Sequence, residues 1–304
     1  MTDAIRIRDL TWRAGRDFAL RDLSMTVPAG AIYGFLGPNG SGKTSTIRLL
    51  LGMLPPDSGS IEVLGHAVPR NAHQALARIG YVPERLHLYP TLTVAETIRF
   101  RRAFFPTFDD AEAERLRGHF NLRPDQQVSS MSKGESGKLM MLLALAQRPE
   151  LLVLDEPTDG LDPVLRRELL AALVDYVATR GATVFISSHL IHEQERICDW
   201  VGVMDRGRLI AELPMEEFRS GVKRLRVGAA STLPPIPATP FEVVRRESLN
   251  DRLEEWVVRG WQPAMRDWFA AERVDLRDVA DLDLEESFVE LLRGARTHTM
   301  EAMR

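Results

Sequence analysis

Eight consecutive residues, Gly37-Pro38-Asn39-Gly40-Ser41-Gly42-Lys43-Thr44, fit the phosphate-loop pattern GxxxxGK[ST] without a gap. The chemistry of that pattern is the binding of a nucleoside triphosphate. Its glycines admit backbone conformations closed to other residues, so the loop N–H groups can converge on phosphate oxygens. Ser45 continues the loop into an expected helix, whose N-terminal dipole favours negative charge. Lys43 reaches the β- and γ-phosphates in this pattern, and the Thr44 hydroxyl takes Mg²⁺. Further along, Leu151-Leu152-Val153-Leu154 reads as a buried strand that ends in two carboxylates, Asp155 and Glu156. Asp155 is placed to hold Mg²⁺ opposite Thr44, directly or through water. Glu156 points differently and can orient the attacking water or accept its proton. By itself such a pair is as readily a solvated turn; after a phosphate loop it reads as the second half of a phosphoryl-transfer site. His189 ends the next apolar strand. With three such groups at strand ends, the site lies where ligands gather in parallel sheets.

These groups must be held by alternating strands and helices. The apolar run 31–36 precedes the phosphate loop as a strand, and 45–51 follows it as a helix. Residues 5–8 and 23–27 alternate apolar and polar, as strands with one buried face do. Residues 61–64 form a short strand after a turn cluster, and 79–83 a buried strand ending at Pro83. From 93 to 148 the pattern is helical, with segments expected at 94–104, 109–120 and 135–147. A helix is expected at 163–179 with Pro163 at its opening, a strand at 183–186, and a hairpin around Asp205-Arg206-Gly207. The fold class expected is α/β, a phosphate-loop NTPase sheet with a helical insert.

After Ser220 the composition changes. Lys223-Arg224-Leu225-Arg226-Val227 alternates, and a proline-rich connection follows at 233–240. Strands are expected at 242–244, 253–258 and 273–276, and helices at 263–271 and 284–292. We expect an ATPase domain at 1–220, with its helical subdomain at about 85–148, and a small α+β accessory domain at 221–304.

A hydrophobic content of 44% and a charged content of 27% are those of an ordinary globular chain with ample core. The formal net charge of −4 gives no reason to expect nucleic acid as a partner. The single cysteine, Cys198, excludes an internal disulfide and agrees with a reducing compartment. The longest apolar run, 139–146, is too short to span a membrane. Met1-Thr2-Asp3-Ala4-Ile5-Arg6 lacks the apolar core of a signal peptide. We therefore expect a soluble chain whose link to a membrane runs through a partner. His189, His192, Glu193 and Cys198 also suggest zinc by their spacing, a reading set aside because no second ligand cluster accompanies them.

Met131-Ser132-Lys133-Gly134-Glu135 precedes a helix and the acidic pair, and here the chain resembles the ATP-binding subunits of ABC transporters. Their signature is LSGGQ; Ser132 and Gly134 match, whereas Lys133 and Glu135 depart. The resemblance covers roughly residues 3–215 and takes in the phosphate loop, the acidic pair, Gly160-Leu161-Asp162 and His189. It implies that two such subunits pair head to tail, each ATP lying between one phosphate loop and the opposite Ser132 and Gly134. It further implies Asp162 at that interface, His189 at the γ-phosphate, and a separate permease docking just after Glu84, at 85–92. Glu84 stands where the family usually has Gln, and its carboxylate can still reach Mg²⁺ or a water. Ala14 stands where the family stacks an aromatic ring on adenine. Trp12 and Phe18 are nearby substitutes, although core packing is the reading we favour for both.

The resemblance thus implies an ATP- and Mg²⁺-dependent ATPase, cytoplasmic and peripheral on the inner face of the cell membrane through its permease. Its other partner would be a second copy of itself or a paralogue. Glu84, Lys133, the appendage and the ending Leu284-Glu285-Glu286-Ser287-Phe288-Val289 look most like exporters of drugs, antibiotics or lipids. The alternative is a related ATPase working on DNA or the ribosome, but such relatives carry tandem ATPase domains or a long coiled coil. A phosphate-loop kinase is a third reading, and it would need neither the signature nor His189.

Overall fold

In the computed structural model the described residues are 3–15, 18–228, 239–251 and 253–301, with side chains described as far as 296. Their contacts define two compact units: Met1–Leu190 with Met204–Leu209, and Ile191–Val203 with Ile210–Arg304.

The first unit is built on a parallel sheet. Strands Ile79–Val82, Leu151–Asp155, Thr183–Ser188 and Ile32–Leu36 lie side by side in that order. All three pairings are parallel. The last three strands are buried along their whole length, as their unbroken apolar runs require of a sheet covered on both faces. Each aliphatic side chain so buried contributes about 1.5–3 kcal/mol. Phe185 sits between Tyr33 and Phe35, with ring centroids 5.6 and 5.1 Å away, which locks the register of the two strands. In that register Asp155 faces Ser187 and Leu36 faces Ser188. The strand ends carrying Glu84, Asp155-Glu156, His189 and Gly37 therefore share one edge of the sheet.

A second, antiparallel sheet has the order Phe18–Pro28, Asp3–Ala14, Ser58–Val63, His66–Val68. The helical insert comprises Val94–Arg102, Asp110–His119 and Lys133–Leu145. Each helix starts at a side-chain cap: Thr93 with Glu96, Asp109, and Ser132 with Glu135. Such caps are each worth about 1 kcal/mol. The third helix begins two residues before the expected 135, because Ser132 and Glu135 form a reciprocal capping box. Helix Pro163–Arg180 is capped by Asp162 and closed by Gly181 at φ 65°.

In the second unit an antiparallel sheet has the order Glu242–Asn250, Leu253–Arg259, Lys223–Gly228, Leu276–Asp281. One face carries a buried apolar cluster in which Phe269 packs against Phe241, Trp256 and Trp261 at centroid distances of 5.7, 6.2 and 6.1 Å. From helix Leu284–Glu301 comes Glu290, buried to 4% side-chain exposure. Arg245 joins its carboxylate at 2.7 Å and Glu255 at 2.8 Å, so the buried charge is paired.

Two expectations for this region need correction. The segment expected as one helix at 263–271 is a 3₁₀ turn, Pro263–Met265, followed by Arg266–Ala271. The strand expected at 273–276 begins only at Leu276. Arg273 adopts a left-handed φ of 56°, and the Val274 N–H donates to Phe269 O at 2.9 Å, so both residues end the helix. The proline-rich connection expected at 233–240 lies almost wholly outside the described residues.

Candidate nucleotide site

Helix Lys43–Leu50 begins at Gly42, whose φ of 114° no other residue adopts at ease. A Cβ there would also lie 2.6 Å from Leu20 Cδ2 and 2.9 Å from Phe18 Cζ. At Gly37 a Cβ would lie 2.6 Å from Met204 O, so the loop can pass only as glycine. The helix N-terminus thus opens into a cleft of about 340 Å³ lined by Phe18, Asn39, Gly40, Gly42, Lys43, Thr44, Ser45, Glu84 and Glu156. Nearly all of these residues are the phosphate-loop and strand-end groups expected from the sequence. Phe18 is the exception. It is half-buried, with its ring against Gly42, and also lines the cleft.

The Lys43 ammonium turns back on its own loop. It donates to Gly37 O at 2.7 Å and Pro38 O at 3.4 Å, and pairs with Glu156 Oε1 at 3.1 Å. Both side chains of the pair are buried, at 6% and 10% exposure. Glu156 Oε2 accepts from the His189 backbone N–H at 3.3 Å and lies 2.9 Å from His189 Nδ1. Lys43, Glu156 and His189 therefore form one chain of contacts across three strand ends. Glu156 takes a left-handed φ of 48°, an uncommon conformation for its type that turns its side chain away from that of Asp155.

Asp155 is held differently. Its Oδ1 accepts from the Ser187 hydroxyl at 2.7 Å and from the Thr44 hydroxyl at 3.2 Å. Burial pushes its carboxyl pKa above the ordinary value, against the pull of the two hydroxyl donors. Ser187 was not singled out from the sequence, yet its Oγ also accepts the Glu156 N–H at 3.0 Å. One serine thereby fixes both members of the acidic pair. The cross-strand register makes this possible, and a single sequence carries no sign of it.

Ser132 and Gly134 do not line this cleft. They lie at the start of helix Lys133–Leu145, where the capping box explains Glu135: a carboxylate accepts the Ser132 N–H at 2.8 Å. Among the described residues no group of three or more His, Cys, Asp and Glu side chains is placed to hold a metal ion.

A triphosphate cradle facing a buried acidic pair and a strand-end histidine defines an ATPase of the phosphate-loop class. Residues 20–159 match the ABC transporter family. Nod factor export ATP-binding protein I of Burkholderia lata is 38% identical over 213 residues, which span 68% of this chain and 70% of the relative. The bacitracin transport ATP-binding protein BcrA of Bacillus licheniformis is 36% identical over 221 residues, 72% of either chain. Among solved structures, an ATP-binding subunit of an ABC transporter superposes with a TM-score of 0.64 at 28% identity, covering 71% of this chain and 92% of that one. The ATP-binding cassette MJ0796, solved as a dimer with ADP and phosphate, shares the fold at a TM-score of 0.63 and 18% identity, over 69% and 98% of the two chains.

The chain belongs to the ABC transporter family. It is an ATP-binding and ATP-hydrolysing subunit of the exporter type; an ATPase working on DNA or the ribosome is not favoured. No helix among the described residues is long and apolar enough to cross a membrane.

Proposed function

We propose that ATP lies on the phosphate loop with its β- and γ-phosphates at Lys43, and that Glu156 orients the attacking water. One observation carries this reading: Lys43, Glu156 and His189 are in contact at the edge where Thr44 meets Asp155. Bound phosphate replaces the carboxylate at Lys43 and releases Glu156 for water. His189, 2.9 Å from Glu156, then serves the γ-phosphate side. Thr44 and Asp155 fit Mg²⁺, a hydroxyl and a buried carboxylate being oxygen donors of the kind it takes. The ion would supply charge neutralisation at the phosphates. Glu84 lines the same cleft and would address the ion's water shell.

Within one chain the γ-phosphate side lacks Ser132 and Gly134. We assign these to the site of a second copy or a paralogue, paired head to tail, with Asp162 at the interface. By function, residues 1–220 would be the ATPase domain and 221–304 an accessory one.

Phe18 is our candidate for contact with the base or ribose, since Ala14 offers no ring. Phe18→Ala should weaken ATP binding about three- to tenfold, with turnover at saturating ATP unchanged. Unchanged affinity would return Phe18 to a packing role.

The permease would dock just after Glu84. There Tyr89, Phe100 and Phe104 form an exposed edge-to-face ladder, with centroids 5.3 and 5.1 Å apart. At 57%, 43% and 64% exposure these rings present apolar area that a soluble surface seldom leaves contiguous. This docking would hold the subunit on the cytoplasmic face of the membrane. In a gentle-detergent pull-down the wild-type chain should retain a polytopic membrane protein in near-equal amount. Serine at all three positions should lose it while ATP binding persists. Recovery of ribosomal or DNA-bound proteins alone would overturn the reading.

A further inference from the structure

Lys133 is the first residue of helix Lys133–Leu145, beside the Ser132 cap. A cation there opposes the helix dipole, whose positive end lies in the same turn. Such a placement is unfavourable unless an anion lies alongside. The Glu135 carboxylate in the same turn is taken up by the Ser132 N–H, and among the described residues the carboxylate paired with Lys133 is Asp159, whose Oδ2 is 3.3 Å from Lys133 Nζ. Both side chains are about half exposed, at 58% and 47%. Exposed pairs of this kind hold weakly and give way to a stronger partner. Asp159 belongs to the turn hanging from the acidic pair, its N–H donating to Glu156 O at 3.1 Å. Lys133, Asp159, Glu84 and Glu156 line one narrow crevice of about 20 Å³, too small for a ligand of its own. The lysine is therefore anchored to the water-positioning turn by a contact that is easily exchanged.

We propose that Lys133 is a charge-exchange residue. It pairs with Asp159 in the single chain and transfers to the phosphates of ATP carried by a second copy when the dimer closes. This rests on the head-to-tail pairing proposed above and extends it: Lys133 joins Ser132 and Gly134 as a phosphate contact, and its departure frees the Asp159 turn behind Glu156. A charged donor on phosphate is worth more than an exposed pair to carboxylate, so the exchange runs toward the closed dimer. Removing either member of the pair should therefore act in opposite directions on closure.

The test is ATP-driven dimerisation of the full chain carrying Glu156→Gln, followed by sedimentation at several salt concentrations. Adding Lys133→Met should weaken dimerisation about tenfold and flatten its salt dependence, and Lys133→Arg should restore most of it. Adding Asp159→Asn should instead strengthen dimerisation about two- to fivefold. Dimerisation within twofold of the parent for Lys133→Met overturns the proposal. So does an Asp159→Asn chain weakened as much as Lys133→Met, because the pair would then be a tie kept in the closed state. A parent that stays monomeric in saturating ATP overturns the dimer reading itself, and this proposal with it.

Discussion

Replacing Glu156 by Gln should leave a chain that binds ATP and scarcely hydrolyses it. The amide keeps the size and one acceptor oxygen for the His189 N–H, now 3.3 Å from Glu156 Oε2. It cannot take a proton from water. General-base catalysis contributes about 10²- to 10⁴-fold, and turnover should fall by that much. Affinity should move the other way. The Glu156 carboxylate lies 3.1 Å from the buried Lys43 ammonium, where it would compete with phosphate. Neutralising the carboxylate removes that competitor, so ATP binding should be equal or modestly tighter. A phosphate-release assay beside equilibrium binding separates the two effects. Turnover near that of the parent would refute the role given to Glu156.

Lys43→Ala should have the opposite signature, with binding itself lost. Among the described residues the ammonium is the one buried cation lining the cleft, and charge-assisted hydrogen bonds are worth about 1.5–3 kcal/mol each. With tenfold per 1.4 kcal/mol, affinity should fall by about 10²-fold or more. The substitution has a second consequence. Glu156, at 10% exposure, loses its cation and is left beside His189. Removing one member of a buried pair costs about 3–5 kcal/mol, so a lowered melting temperature should accompany the lost binding. Lys43→Met would fill more of the space and share the binding defect. Unchanged ATP affinity in a folded variant would contradict the phosphate-loop reading.

Much of this site was legible in the sequence because its parts are local. A phosphate loop needs glycines at fixed offsets, so backbone geometry writes itself into spacing, and the apolar strand before Asp155 announces where a carboxylate leaves a buried sheet. The capping boxes, Thr93 with Glu96 and Ser132 with Glu135, are local too, each spanning three residues, yet neither was read from the sequence. Capping also accounts for Glu135, which had stood only as a departure from a motif. The misread helix end at Arg273 was local too, but a left-handed non-glycine residue leaves no mark in composition.

The remaining features required the chain to fold back on itself. Ser187 fixes Asp155 and Glu156 because parallel pairing sets residue 187 opposite 155, and that register depends on Tyr33, Phe185 and Phe35 packing together. Phe18 lines the cleft because its ring lies against Gly42, where the absence of a side chain leaves room. Lys133 met Asp159 across 26 residues of sequence, and the Tyr89 ladder closed across two separate segments. By itself the sequence determined the triphosphate chemistry, since that rests on residue types at short fixed spacing. Only the tertiary structure decided which hydroxyl, ring and counter-charge attend it, because those depend on contacts between segments far apart in the chain.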